Sequence, residues 1–133
     1  MKIRKTTQKF DNIVDIYYID VEIADTFDSQ NKIKATARWD TGAMKTTISG
    51  AVAKGLGISK MGDVMTHTAN GIAFGEEHLA NFVLSGGLAI NDLEIISMPD
   101  MFADCLLGTD VIARGDFCVS NSKGRTVVSF KTK

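Results

Sequence analysis

Asp40 stands in the segment Trp39-Asp40-Thr41-Gly42-Ala43, directly after the cleanest run of alternating side chains in the sequence. A carboxylate at a strand end, followed closely by glycine, sits on a tight turn where backbone N–H groups can reach its oxygens. Gly42 lets the backbone come close because it has no Cβ. Thr41 adds a hydroxyl that can brace the loop from the side. An ordinary β-turn uses the same residue types for local reasons, so the tripeptide alone carries little. A second segment, Leu106-Leu107-Gly108-Thr109-Asp110-Val111-Ile112, changes the balance. Two large aliphatics followed by glycine suit a buried strand that runs beneath a loop and leaves it at a tight turn.

Other reactive groups form weaker constellations. The two histidines, His67 and His78, share no motif. His67 reads as a hairpin residue and His78 as a solvated strand residue, so a metal site with Glu76 or Glu77 is not expected. Ser49 or Cys105 could serve as a nucleophile in principle, but no nucleophile elbow is present. Cys105 and Cys118 show no C-x-x-C or Cys/His zinc spacing. Each is expected to act as a small apolar core residue, and the sequence leaves a bridge between them open. Gly55-Leu56-Gly57 lacks the spacing of a phosphate loop and reads as helix termination. No cofactor is implied.

These residues need a scaffold, and its dominant period is two. Ile33, Ala35, Ala37 and Trp39 fall on one face, with Lys32, Lys34, Thr36 and Arg38 on the other. Ile19, Val21 and Ile23 alternate in an earlier strand. The turn formers of Asp25 to Asn31 join the two into a hairpin with a medium loop. Ser49 caps a short helix ended by Gly55 or Gly57. Val64–Thr68 and Ile72–Phe74 flank Asn70-Gly71 as a hairpin. Leu79–Leu84 is a further strand, and Asn91-Asp92 is read as a tight turn between two more. A brief helix is expected over Thr109–Ala113. Phe117–Ser120 and Thr126–Phe130 close the chain. The predicted fold is mostly β, a small closed or folded-over barrel with one or two short helices.

The chain has 133 residues, enough for one domain over 1–133 but not for two lobes with a cleft between them. With 15 basic and 16 acidic residues the net charge is -1, and no basic stripe implies nucleic acid. The clusters Lys2-Ile3-Arg4-Lys5 and Lys131-Thr132-Lys133 read as solvated termini. No segment could span a membrane, no signal peptide is expected, and the default compartment is cytoplasmic.

In its catalytic and downstream segments the sequence resembles the retropepsin-like aspartic proteases, the retroviral-type fold and its bacterial single-domain relatives. Trp39-Asp40-Thr41-Gly42-Ala43 with Thr46-Thr47-Ile48 is similar to the family's catalytic segment. Leu106-Leu107-Gly108-Thr109-Asp110-Val111-Ile112 is similar to its aliphatic-aliphatic-Gly segment, and the closing strands also agree. The resemblance covers roughly Ile16 to Phe130. It implies Asp40 as catalytic carboxylate, with Thr41, Gly42 and Ala43 supporting its loop and Leu106, Leu107 and Gly108 beneath it. It also implies a flap over Thr66–Phe74, formed at Ala69, Asn70, Gly71 and Ile72 with Asn70-Gly71 as the tip. Met44, Ile72, Phe74 and Ile112 would wall the substrate pocket; Met44 stands where retroviral members usually carry an acidic residue. Hydrolysis by this route needs two carboxylates around one water, and the chain has a single Asp-Thr-Gly. The resemblance therefore implies a homodimer acting on protein or peptide substrates.

Overall fold

Alternation of apolar and polar side chains builds strands throughout, and tight turns fold them on one another. The computed structural model describes residues 2–133, and for Thr68 the backbone alone. In chain order its elements are β1 (Lys5–Lys9), β2 (Tyr18–Asp25), β3 (Asp28–Trp39), β4 (Thr47–Ser49), α1 (Gly50–Leu56), β5 (Gly62–Thr68) and β6 (Gly71–Leu84). Then follow β7 (Leu88–Met98), β8 (Cys105–Leu107), α2 (Thr109–Ile112), β9 (Gly115–Ser120), a 3-10 turn at Ser122–Gly124, and β10 (Val127–Thr132).

The larger sheet runs β2-β3-β8-β4-β7-β6-β5, and a further pairing of β2 with β6 closes it into a barrel. Ile19, Val21 and Ile23 of β2, Ala37 of β3 and Phe82 and Leu84 of β6 are buried. Their period-two spacing turns one face of each strand inward. Truncating a fully buried phenylalanine such as Phe82 to alanine costs about 3–5 kcal/mol in cores of this kind.

One feature of the strand order sets up the site. β8 lies between β3, to which it is parallel, and β4, to which it is antiparallel. The chain leaving β3 must therefore cross over the end of β8 before it enters β4. Beside the barrel lies a second sheet, β1-β10-β9. Trp39 joins the two: its ring lies 5.1 Å from that of Phe117 and 5.2 Å from that of Phe130, and its indole N–H donates to Gln8 Oε1 at 3.0 Å.

Several boundaries differ from expectation. The β2–β3 loop shrinks to Thr26-Phe27, since Asp25 and Asp28 already pair. Gly71 to Leu84 is one strand rather than two. Asn91-Asp92 is no turn: Ala80 pairs with Leu93 and Phe82 with Ile90, so two residues of β7 oppose one of β6. That is a bulge, with Asp92 at φ 55 and its N–H donating to Asn81 Oδ1 at 2.8 Å. The reversal falls instead at Ser85-Gly86-Gly87, where both glycines have positive φ. The N-terminal cluster contributes β1, and Lys5 pairs with Lys131, so the two basic ends meet in one sheet. Their charged side chains remain exposed.

Candidate active site

At the end of β3, Ala37 and Trp39 point inward, so Arg38 and Asp40 share the outer face. The Asp40 N–H donates to Leu107 O at 2.9 Å, extending the β3–β8 pairing by one residue. The chain then turns: the Ala43 N–H reaches Asp40 O at 3.2 Å, and the Gly42 N–H donates to the carboxylate Oδ1 at 2.9 Å. A Cβ on Gly42 would stand 3.2 Å from that same oxygen. The carboxylate is half-buried, held on one side and open on the other.

The crossing loop rests on Gly108. A Cβ there would lie 2.6 Å from Ala43 O and 3.0 Å from the Lys45 carbonyl carbon. Glycine is required by this close approach of two backbones. The first turn of α2 then clamps the loop. The Thr109 N–H and hydroxyl donate to Ala43 O at 2.8 and 3.3 Å. Asp110 takes the Thr46 N–H on Oδ2 and the Thr46 hydroxyl on Oδ1, both at 2.8 Å, and the Val111 N–H on Oδ1 at 2.9 Å. Thr46 Oγ1 in turn accepts the Gly108 N–H at 3.1 Å. Thr46 and Asp110 were not singled out as site residues. An acidic residue in a helix's first turn and a threonine at the head of an apolar strand were the available signals, but their 64-residue separation hid the pairing.

Beside the turn lies a cavity of about 300 Å³ lined by Asp15, Ile16, Tyr17, Arg38, Trp39, Asp40, Thr41, Leu106 and Phe117. Of the expected site residues, Asp40, Thr41 and Leu106 meet there, while Leu107 is buried beneath the loop. Met44, Phe74 and Ile112 do not line this cavity. Met44 and Phe74 are largely exposed, at 86% and 70%.

The hairpin over the expected flap is present, shifted by one residue. Thr68 pairs with Gly71, so Ala69 and Asn70 form the turn and Gly71, at φ 114, opens β6. The pairing of β6 with β7 begins only at Glu76, so Gly71–Gly75 run beside β5 alone and the hairpin projects past the barrel. Ile72 is exposed on it.

His78 is buried rather than solvated. Its Nδ1 lies 2.9 Å from Ser59 O and its Nε2 2.8 Å from Ser97 Oγ. A carbonyl only accepts, so Nδ1 donates to Ser59 O, and Nε2 faces the Ser97 hydroxyl. Nearby Asp25 accepts the Phe27 N–H and both the N–H and hydroxyl of Ser59. Burial alone would raise the Asp25 pKa, but these hydrogen bonds and the nearby His78 hold it below the ordinary 3.8. Both cysteines are free; Cys105 is buried and Cys118 exposed, against the expectation of two core residues. Burial, with Asp104 and Asp110 nearby, pushes the Cys105 thiol far up, so it is no nucleophile. Among the described residues no three His, Cys, Asp or Glu side chains gather as a metal site, and no helix is long and apolar enough to cross a membrane.

Known structures share this fold. A retropepsin-like aspartic protease from Rickettsia conorii superposes with a TM-score of 0.56 at 16% identity, over 96% of this chain and 93% of that one. The retroviral protease-like domain of Ddi1 from Leishmania major gives 0.54 at 19% identity, over 80% and 82%. Among curated proteins, none matches the sequence. Residues 29–114 match the family model described as "gag-polyprotein putative aspartyl protease". That span is more than half of the chain and holds the Asp40 turn, the hairpin, the Gly108 crossing and α2; the chain belongs to this aspartyl protease family.

Proposed function

We propose that the protein is an aspartic endopeptidase whose working unit is a homodimer, with Asp40 of each copy facing the other across a two-fold axis. The observation that carries this reading is the Asp40 turn, a half-exposed carboxylate fixed by the Gly42 N–H on a loop locked over Gly108. Asp110, a second carboxylate close to the loop, is occupied by Thr46 and Val111 and has no part in the chemistry.

Two such carboxylates held close share one proton and titrate as a pair. The ionised one takes a proton from a water held between them while the protonated one donates to the amide carbonyl. The water oxygen adds to the carbonyl carbon, and the resulting diol collapses with a proton returned to the departing amine. Thr41, Gly42 and Ala43 hold the geometry, and Leu106, Leu107 and Gly108 support it from below. The hairpin with Ala69, Asn70, Gly71 and Ile72 acts as a flap that binds an extended substrate as an added strand. The exposed Met44 and Phe74, with Ile112, contribute apolar pocket wall in the dimer. One proton on the pair is the active form, so turnover falls as pH rises past the upper apparent pKa and again below the lower one. The two values in such pairs lie about three units apart.

Cleavage of a mixed peptide library, with and without pepstatin, tests this. Wild-type protein should cut, pepstatin should block it, and Asp40→Asn should lose turnover while keeping its dimer mass. Turnover unchanged in that variant removes the mechanism. Peptide binding without products from acid to neutral pH would make the protein a silent binding module.

A further inference from the structure

Arg38 stands two residues before Asp40 on the same outer face of β3, with Tyr18 of β2 and Leu106 of β8 as cross-strand neighbours. Its guanidinium carbon lies 5.4 Å from the centre of the Tyr18 ring, a cation–π contact that fixes its position. Its Nε is buried and has no hydrogen-bond partner. Among the described residues no carboxylate lies within ion-pair distance of it. A buried donor is nearly always satisfied in a folded protein, and arginine cannot shed its charge to escape the penalty. Tyr17, Leu106 and Phe117 wall the cavity that Arg38 lines, and the Tyr18 ring lies against its guanidinium; such ring and aliphatic surface strengthens the pull of a charge on an anion.

Arg38 lines the same cavity as Asp40 and Thr41. If Asp40 hydrolyses peptides, the side chain that fills this cavity is one flanking the scissile bond. We infer that Arg38 is a specificity-determining residue, and that it selects an acidic side chain, Asp or Glu, at that position. The planar guanidinium fork matches a carboxylate in geometry as well as charge. Two anionic groups of the cavity oppose this. Asp15 is exposed and screened by solvent, and Asp40 shares a proton with its copy in the proposed dimer, so neither cancels a direct contact with Arg38. The preference should weaken below about pH 4, where the substrate carboxyl itself is protonated.

The inference rests on the protease reading, and the test separates the two. A neutral peptide with amidated C-terminus is made in two series, one with a single Glu and one with a single Gln scanned through consecutive positions. Calorimetry on the full-length Asp40→Asn protein at neutral pH measures binding without turnover. At one position Glu should bind about ten to a hundred times more tightly than Gln, the range expected of a charged hydrogen bond. Arg38→Gln should abolish that gap and Arg38→Lys should keep part of it. Equal binding of both series in the unmutated-Arg38 protein, including none by either, overturns the inference. So does a gap that survives Arg38→Gln. A neutral peptide that gains affinity only when its C-terminal carboxylate is left free reassigns Arg38 to chain ends and also overturns it. Cleavage of the same series by wild-type protein reports on the protease reading alone: a Glu-dependent gap without cleavage sinks that reading and leaves Arg38 as a carboxylate site.

Discussion

Thr46 has no accessible surface, and its side chain both donates to Asp110 and accepts from the Gly108 N–H. Thr46→Val keeps the shape and removes the hydroxyl, which leaves a buried N–H and a carboxylate oxygen short of a partner. Stability should fall by about 1–3 kcal/mol in urea unfolding, and turnover should fall with KM little changed because the loop bearing Asp40 loosens. Thr46→Ser should recover most of both; a loss of stability with kcat intact would confine Thr46 to the fold. Asp25 gives a pH-dependent counterpart. Its pKa is depressed in the folded protein, so its contribution is complete above the unfolded value and is lost as pH falls through the folded one. Asp25→Asn should therefore lower stability by about 1–3 kcal/mol at pH 7, with the gap closing below about pH 4. A gap constant with pH would refute the account. The Asp40 turn was legible in sequence because an aspartate two residues from a glycine makes its contact locally. Thr46–Asp110 and His78–Ser97 were not, because each pair meets only once the barrel has closed.

The hairpin and barrel strands show how element boundaries mislead. Asn91-Asp92 has the composition of a turn, yet the strand continues through it because Leu88, Ile90, Leu93 and Ile95 are all buried. The extra residue is absorbed as a bulge that keeps both halves facing inward. Gly75 was unread for the opposite reason, since nothing local marks it. A Cβ at that position would stand 2.3 Å from Ser97 O and 2.7 Å from Met98 Sδ. It sits where β6 leaves the barrel and becomes the projecting hairpin. Gly75→Ala should force the two strands apart at a cost of about 1–3 kcal/mol. Hydrogen exchange should show faster opening over β5 and the first residues of β6 than over β2 and β3. Uniformly changed protection across the barrel would mean that the hairpin has no separate root.

At the scale of the molecule, the alternating strands made a small barrel predictable, because period two with short turns leaves few other ways to bury one face. The closing pair β9 and β10 was read, but the N-terminal strand that joins it was missed, since β1 buries only Thr6 and offers no apolar alternation to read. That outer sheet packs behind Trp39, the residue next to Asp40, so the frame of the site extends to both ends of the sequence. What one barrel does not supply is a second Asp-Thr-Gly, and the proposed function stands on obtaining it from another copy. Mixing tests this directly. When wild-type and Asp40→Asn chains are combined in equal amounts and allowed to exchange, random pairing puts half of the wild-type chains into dimers with one carboxylate. Activity per wild-type chain should then fall to about half. Dilution of wild-type protein alone should lower specific activity once the concentration drops below the dimer Kd, and the melting temperature should fall with it. Activity that is proportional to wild-type chains in every mixture and constant on dilution would place all the chemistry within one chain and end the dimeric mechanism.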